Sequence, residues 1–296
     1  MIDVGALRAL HVVALVGTIA KAAEELGYTA SAVSQQIKRL ERQLGVAVMV
    51  PAGRTLTLTP AGRMLVATAP DVFQALERCT EAALSVSVGL PRGRLRVVAF
   101  STAVRGLLAP ILPALGSRYP DVRINIEEQD PAKALSSVEA GTADLALVHD
   151  TDGMPSSLPA SMTKQLVHTD VGDVVMRRTH PLAVAAEPLT SADLIDYAWV
   201  TSPRGTLCHE WFRRLFADLP HEPDVRHLID DFSTQLALVS THDVLALIPR
   251  LARPPLGEDL IFRELRREPK RDVYAVWRIS AENSPTIRAL MSELAS

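Results

Sequence analysis

The sequence predicts an N-terminal winged helix-turn-helix, a long linker helix and a C-terminal α/β body. Three observations carry this. Apolar residues recur at helical spacing three times within the first 45 residues and then switch to alternation. Two interleaved seven-residue repeats follow between residues 60 and 90. From Gly93 onward strand and helix patterns alternate, the mark of repeated β-α-β units and a mostly parallel sheet.

A chain of 296 residues, 48% of them hydrophobic, is long enough for two or three domains with sizeable cores. No run approaches the ~18 uninterrupted apolar residues of a membrane span. The opening "MIDVGALRAL" lacks a basic head and a long apolar core, so a cytoplasmic protein is expected. Cys79 and Cys208 fit no CxxC or metal-ligand spacing and read as free thiols. There is no phosphate loop, dinucleotide fingerprint, zinc spacing or nucleophile elbow. No cofactor, metal ligand, catalytic residue or enzymatic activity is therefore expected. Charge is uneven: residues 1–96 hold 11 Lys+Arg against 7 Asp+Glu, although the whole chain is −3. A mildly basic head on an acidic body suits nucleic-acid binding by the head alone.

Within the head, "DVGALRALHVVALV" reads as a helix with Leu7, Leu10 and Ala14 inward, ended by Gly17. Thr18 caps a short helix carrying Ile19, Ala22, Ala23 and Leu26 on one face, and Gly27 stops it. After a three-residue turn Thr29 caps the next helix, whose apolar stripe is Val33, Ile37, Leu40 and Leu44. Ser31, Ser34, Gln35, Lys38 and Arg42 lie opposite, with Glu41 the one acid. Hydroxyls, an amide and cations suit phosphates and base edges, although an ordinary solvated helix shows a similar face. "VAVMV" and "TLTLT" then read as two short strands around the turn "PAGR", a wing.

The stretch "GTIAKAAEELGYTASAVSQQIKRLERQLGV" followed by "GRTLTLTPAGRMLV" resembles the N-terminal module of the LysR-type transcriptional regulators. The likeness is strong over the first sixty-odd residues and rests on architecture and local patterns thereafter. It implies DNA contacts from Thr29, Ser31, Ser34, Gln35 and Lys38 on the third helix, Arg54 in the wing, and Thr18 and Lys21 on the helix before. Two positions depart from the pattern: Ala47 and Pro51 stand where members commonly carry basic residues. Fewer phosphate contacts and a shallower salt dependence are expected.

Thr59-Pro60 is a helix start. Leu65, Val72, Cys79 and Val86 form one heptad series, and Ala69, Leu76, Ala83 and Leu90 the other. Leu65, Val72, Leu76, Cys79, Ala83 and Val86 are the expected dimer seam. Pro70 removes one helical hydrogen bond, so a kink or break is expected near Ala69–Pro70. The domains are read as 1–59, 60–90 and 91–296. Within the body, lobe I covers about 91–164 and 265–296, and lobe II about 165–264.

The resemblance further implies that the two lobes are similar to periplasmic solute-binding proteins, with a small effector between them. Open α/β sheets hold ligands beyond the carboxyl ends of their strands, where helix N-termini present free N–H groups. Ser101 and Thr102 in "AFSTAV", and Thr201 and Ser202 in "WVTSPRGT", occupy such turns, although each hydroxyl also reads as a helix cap. Gln129, Asp130 and the Phe232 ring are placed in the same cleft, with Arg105, Arg204 and His149 as weaker candidates. The expected partners are operator DNA, a polar or anionic metabolite, and further copies of the chain as a homodimer and homotetramer. Ser240–Asp243 replaces the family's usual glycine turn and reads as a polar loop. A thiol-redox regulator and a solute-binding protein without regulatory role are the alternative readings.

Overall fold

The computed structural model describes residues 2–52, 55–85, 91–151, 158–185, 187–255 and 257–295. Three helices open the chain: α1 (Val4–Val16), α2 (Ile19–Leu26) and α3 (Ala30–Leu44). Asp3, Thr18 and Thr29 cap their starts through side-chain oxygens, and each helix ends on a glycine in the left-handed region. Ala22 and Ala23 let α2 approach α1 and α3 closely over a core of Leu10, Val13, Val33, Ile37 and Leu40. The wing is β1 (Met49–Ala52) paired antiparallel with β2 (Thr55–Leu58). It starts later than expected: Pro51 and Ala52 lie in β1, not in the turn, with Pro51 opposite Leu56. Glu41 explains the lone acid on α3, because its carboxylate accepts the N–H groups of Val48 (2.9 Å) and Met49 (3.2 Å). That ties α3 to the wing.

Of the kink or break expected near Ala69–Pro70, the break does not occur: the connector, α4 (Pro60–Ser85), continues as one helix through Pro70. Its start is capped by the Thr59 hydroxyl, which accepts Gly62 N–H at 3.0 Å. At the proline the helix packs on α1, burying Ala69 and Phe73 against Leu7, while the Arg8 guanidinium lies 4.5 Å over the Phe73 ring. Pro70 lacks the N–H that Val66 O would accept. The buried His11 ring stands beside that carbonyl. No hydrogen bond of ordinary geometry forms, but Val66 partly offsets the downward pull that burial exerts on the His11 pKa. Packing thus replaces what the proline removes.

The body opens with β3 (Gly93–Ala99), then α5 (Ser101–Ala103), which passes through a π-helical turn (Val104–Leu108) into α6 (Ala109–Arg118). β4 (Val122–Glu128), α7 (Pro131–Glu139) and β5 (Leu145–Thr151) follow. β6 (Met162–Arg177) is 16 residues long. After it come α8 (Ser191–Leu194), β7 (Ala198–Thr201), α9 (Leu207–Arg214), β8 (Asp224–Leu228), α10 (Phe232–Thr241), β9 (Leu245–Pro249), β10 (Leu260–Arg263), β11 (Lys270–Arg278) and α11 (Pro285–Leu294).

The sheet order is β4-β3-β5-β11-β6-β9-β7-β8, with β10 also on β6. Each lobe has a parallel trio, β4-β3-β5 and β8-β7-β9. The strands joining the trios, β11 and β6, are antiparallel to them and to each other, so the sheet is mixed where a mostly parallel one was expected. β6 runs through both lobes. It pairs with β11 up to Val171 and with β9 from Gly172. The lobes are therefore two halves of one sheet, joined where β6 changes partner.

Gly172 sits at that exchange. A Cβ there would lie 2.5 Å from Cη2 of the buried Trp211. Gly172→Ala is expected to push the indole out of its slot and destabilise the protein by about 1–3 kcal/mol. A fall in the urea midpoint at unchanged slope checks it.

Candidate functional site: a DNA-facing helix and an interlobe cleft

On the winged module, Ser31, Gln35, Lys38 and Arg42 are exposed along one face of α3, and Ser34 is half-buried beside them. Thr29 Oγ1 accepts Ala32 N–H (3.2 Å) and pairs with Ser31 Oγ at 3.0 Å. Thr18 and Lys21 are exposed at the start of α2, where the Thr18 hydroxyl accepts Lys21 N–H (3.2 Å). An open trough of about 980 Å³ runs beside α3, lined by Gln35, Lys38, Arg39 and Arg42. Arg54 lies outside the described residues, as do Val86 and Leu90 of the heptads.

The heptad face of α4 is divided. Ala69 and half-buried Leu65 pack within their own module, because the first turns of α4 cover α1. Val72, Leu76 and Cys79 are exposed, which leaves an outward apolar stripe from residue 72 on. Ala83 is in the helix, but its side-chain environment is outside what the structure describes.

A cleft of about 700 Å³ opens between the lobes. Lobe I contributes Phe100, Ser101 and Thr102 after β3, Glu128 to Lys133 after β4, and His149 on β5. Lobe II contributes Gly205 to Cys208 at the start of α9, with Asp230 and Phe232 after β8. These are strand carboxyl ends and helix N-termini, as expected for an open α/β sheet.

Ser101, Thr102, Gln129, Asp130 and Phe232 therefore come together. Thr201 and Ser202 do not line the cleft. Both are buried behind it, where Thr201 O accepts Ile229 N–H (2.8 Å) and Ser202 O accepts His209 Nδ1–H (2.9 Å). The lobe II wall lies four residues further on. There Thr206 caps α9 by accepting His209 N–H (3.1 Å) and donating to Pro203 O (2.8 Å). Gln129 is also committed: its amide donates to Glu127 and accepts from the Ser137 hydroxyl, both at 2.8 Å. Arg204 is exposed, and Arg105 donates to Ala252 O across the lobes at 3.2 Å. Of the expected Ser240–Asp243 loop, Ser240 and Thr241 instead form the last turn of α10; His242 N–H closes the helix on Leu238 O without a left-handed residue, and Asp243 pairs with Arg177 at 3.3 Å.

Sequence reasoning missed the floor. Arg271, 1% exposed, donates through Nε (3.0 Å) and Nη2 (2.7 Å) to Asp170 Oδ2, and through Nη2 to the Thr102 hydroxyl (2.7 Å). Asp170 also accepts Val171 N–H (3.0 Å) and Leu251 N–H (3.1 Å). A weak signal was present as charged residues next to apolar strand runs, Asp170 and Asp173 before "VVM" and Arg271 before "VYAVW". His149 lines the cleft as a neutral imidazole, its pKa pushed down to about 3, first by burial and then by Arg271. Burial pushes the Cys208 thiol up, against the opposing effect of Arg271. Among the described residues no group of three His, Cys, Asp or Glu is arranged to hold a metal ion.

A winged helix-turn-helix joined by a helix to a two-lobed α/β body with an interlobe cleft defines a ligand-responsive DNA-binding regulator. Residues 4–63 match the family described as "Bacterial regulatory helix-turn-helix protein, lysR family", and residues 89–296 match "LysR substrate binding domain". The chain belongs to the LysR family of DNA-binding transcriptional regulators. Among its relatives is the small neutral protease regulatory protein of Streptomyces coelicolor, 30% identical over 270 residues, covering 89% of this chain and 82% of that protein. A Synechococcus elongatus protein named "Probable HTH-type transcriptional regulator LrrA" is 26% identical over 97% of this chain and 95% of its own length. Full-length OxyR from Pseudomonas aeruginosa shares the fold with a TM-score of 0.72 at 20% identity, covering 100% of this chain and 98% of that one. CbnR complexed with its target DNA has a TM-score of 0.58 at 20% identity, covering 99% of each chain.

Arg271→Met is expected to leave the Asp170 carboxylate buried without a countercharge and to destabilise the protein by about 3–5 kcal/mol. Denaturant unfolding followed by tryptophan fluorescence measures this, and a loss under 1 kcal/mol is the contrary result.

Proposed function

We propose that this regulator reads its operator with the exposed face of α3 and is controlled by a polar small molecule held in the interlobe cleft. The observation that carries the reading is the fixed presentation of Ser31, Gln35, Lys38 and Arg42. Glu41 locks α3 to the wing, and the Asp3–Arg39 ion pair (2.7 Å) locks it to α1. Ser34 and Gln35 then read base edges, while Lys38, Thr18 and Lys21 hold phosphates. Ala47 and Pro51 remove two cationic positions from the wing side, so affinity relies on pairing modules through α4. The Val72, Leu76 and Cys79 stripe supports a dimer seam, and contacts between bodies extend it to a tetramer. A cytoplasmic location goes with this reading.

Helix α7 connects the two sites. Its N-terminal turn lines the cleft through Pro131, Ala132 and Lys133. The same helix touches the winged module: Lys133 pairs with Glu25 on α2 at 2.9 Å. The buried residue at its end, Ala140, joins the module's core, and Arg8 donates to Ala140 O at 2.8 Å. A ligand that shifts α7 thereby changes how the module is held.

The redox alternative finds less support. Cys208 stands 4.0 Å from Arg271 Nη1, but its thiol pKa is raised, whereas a reactive cysteine needs a thiolate. Cys79 is exposed on α4. A solute-binding role without regulation leaves the winged module unused.

Gln35→Ala is expected to relax sequence preference by about 1–3 kcal/mol at one base pair, and Lys38→Ala to weaken binding to all sequences and lower the salt slope by about 1. Titration of the full chain against operator and scrambled DNA at several salt concentrations separates the two effects. If both variants bind as the wild type does, the assignment of α3 fails.

Leu76→Asp places a charge in the exposed stripe of α4. It is expected to convert the assembly into smaller species in sedimentation velocity. An unchanged sedimentation coefficient at micromolar concentration would place the seam elsewhere.

A further inference from the structure

The ionisable groups lining the cleft are unbalanced. Arg271 and Lys133 are its two cations, and both are engaged. Arg271 is held by Asp170 and Thr102, and Lys133 by Glu25 on the winged module. Glu128, Asp130 and Asp230 line the same space and have no ion pair or side-chain hydrogen bond among the described residues. Asp130 is the N-cap residue of α7, yet its carboxylate makes no capping bond. It belongs to lobe I, and Asp230 belongs to lobe II. The Asp230 carboxyl is held above its usual pKa by desolvation, then by Asp130 and Asp231. Two carboxylates from opposite lobes therefore oppose each other across the opening.

A second observation points the same way. His149 is 3% exposed, lines the lobe I wall, and its Nδ1 has no hydrogen-bond partner. A buried imidazole nitrogen without a partner is destabilising unless a ligand supplies one. As a neutral ring it carries one acceptor nitrogen and one N–H, and it does not repel a cation. The Phe100 ring packs edge-on against it at 4.7 Å, and Phe232 adds an aromatic wall from lobe II.

We infer that the cleft takes an organic cation, an ammonium or guanidinium compound, whose charged group lies between Asp130 and Asp230 and whose apolar part packs on Phe100 and Phe232. This rests on the cleft being the effector site. Of the polar or anionic metabolite that the sequence leads one to expect, it keeps the polar half and departs from the anionic half, which relied on helix N-termini. A helix end acts as about half an elementary charge, and three unpaired carboxylates outweigh it. The N–H groups at the start of α9 remain open to a neutral acceptor or to the carboxylate of a zwitterion. No three-residue metal constellation is present among the described residues, which favours an organic cation over a metal ion. A bridging cation removes the repulsion between the lobes and draws their lips together. Through Asp130 and Lys133, that movement bears on α7.

The test is the thermal midpoint of the full chain at constant ionic strength. Probes are arginine, putrescine and butylamine, set against glutarate, butyrate and glycerol. A cation at ~100 times its dissociation constant is expected to raise the midpoint by several degrees. The gain should vanish in the Asp130→Asn/Asp230→Asn variant, whose ligand-free midpoint should equal or exceed that of the wild type because repulsion is gone. Stabilisation by the carboxylates alone, abolished by Phe232→Ala, overturns the charge assignment while leaving the cleft as the effector site. A cation effect that survives in both the double variant and Phe232→Ala overturns the cleft reading itself. No shift with any cation, or a double variant less stable than the wild type without ligand, overturns the inference.

Discussion

The body of the protein depends on one buried ion pair. Asp170 and Arg271 sit on neighbouring antiparallel strands, at the place where β6 passes from one half-sheet to the other. Asp170 accepts bonds from Arg271 and from the backbone of Val171 and Leu251; Arg271 reaches on to Thr102. Four segments meet there: β6, β11, the turn after β9 and the start of α5. A carboxylate this deep is tolerable only when its oxygens are hydrogen-bonded. A second node lies close by in sequence. Buried Asp173 takes two bonds from Arg250, both 2.9 Å, and one from Arg253 at 3.0 Å. Both acids anchor the turn after β9 to β6. The floor of the cleft is thus tied into both half-sheets by hydrogen-bonded ion pairs, while its walls are carried on helix ends.

Local pattern was legible in the sequence wherever one periodicity decided the element. The winged module is the clearest case, because caps at Thr18 and Thr29, stops at Gly17 and Gly27, and an apolar stripe all agree. The connector was harder. Two heptad series predicted one helix with one seam, but Ala69 and Leu65 face their own module and, among the described residues of the series, Val72, Leu76 and Cys79 face outward. Periodicity says that a face is buried, not what buries it. At Pro70 the expected kink or break does not become a break, because the helix packs on α1 on both sides of the proline.

The cleft was half legible. A strand-to-helix turn with hydroxyls marks a position along the sheet, so Ser101 and Thr102 were found. The same rule chose Thr201 and Ser202, which are buried as the end of β7, while the chain runs four residues further before α9 reaches the cleft. Arg271 escaped because it opens a strand nearly 170 residues from Thr102, and no local pattern links them. The charge of the cleft was not legible at all. It depends on which cations are already paired, and Lys133 pairs with a residue of a different domain.

That last pairing also limits how the cleft can act on the DNA-binding module. The Lys133–Glu25 bridge is about half exposed on the lysine side, and such pairs contribute at most about 1 kcal/mol. The firmer link is apolar: Ala140 is 3% exposed inside the module's core, and Arg278 holds the neighbouring backbone by donating to Val138 O and Ala143 O. Yet the interface is not fully packed. A gap of about 30 Å³ remains among Val12, Val16, Ser137, Ala140 and Thr142. Ser137, which lines that gap, is hydrogen-bonded to Gln129 in the cleft wall. Under the proposed function, a movement of the Gln129–Asp130 corner would reach α7 through that hydrogen bond and the module through this loosely packed contact. Coupling free energies between sites are typically 1–3 kcal/mol. One exposed ion pair and one imperfect apolar contact are of that order, so the proposed control by a cleft ligand asks no more of this interface than it can supply.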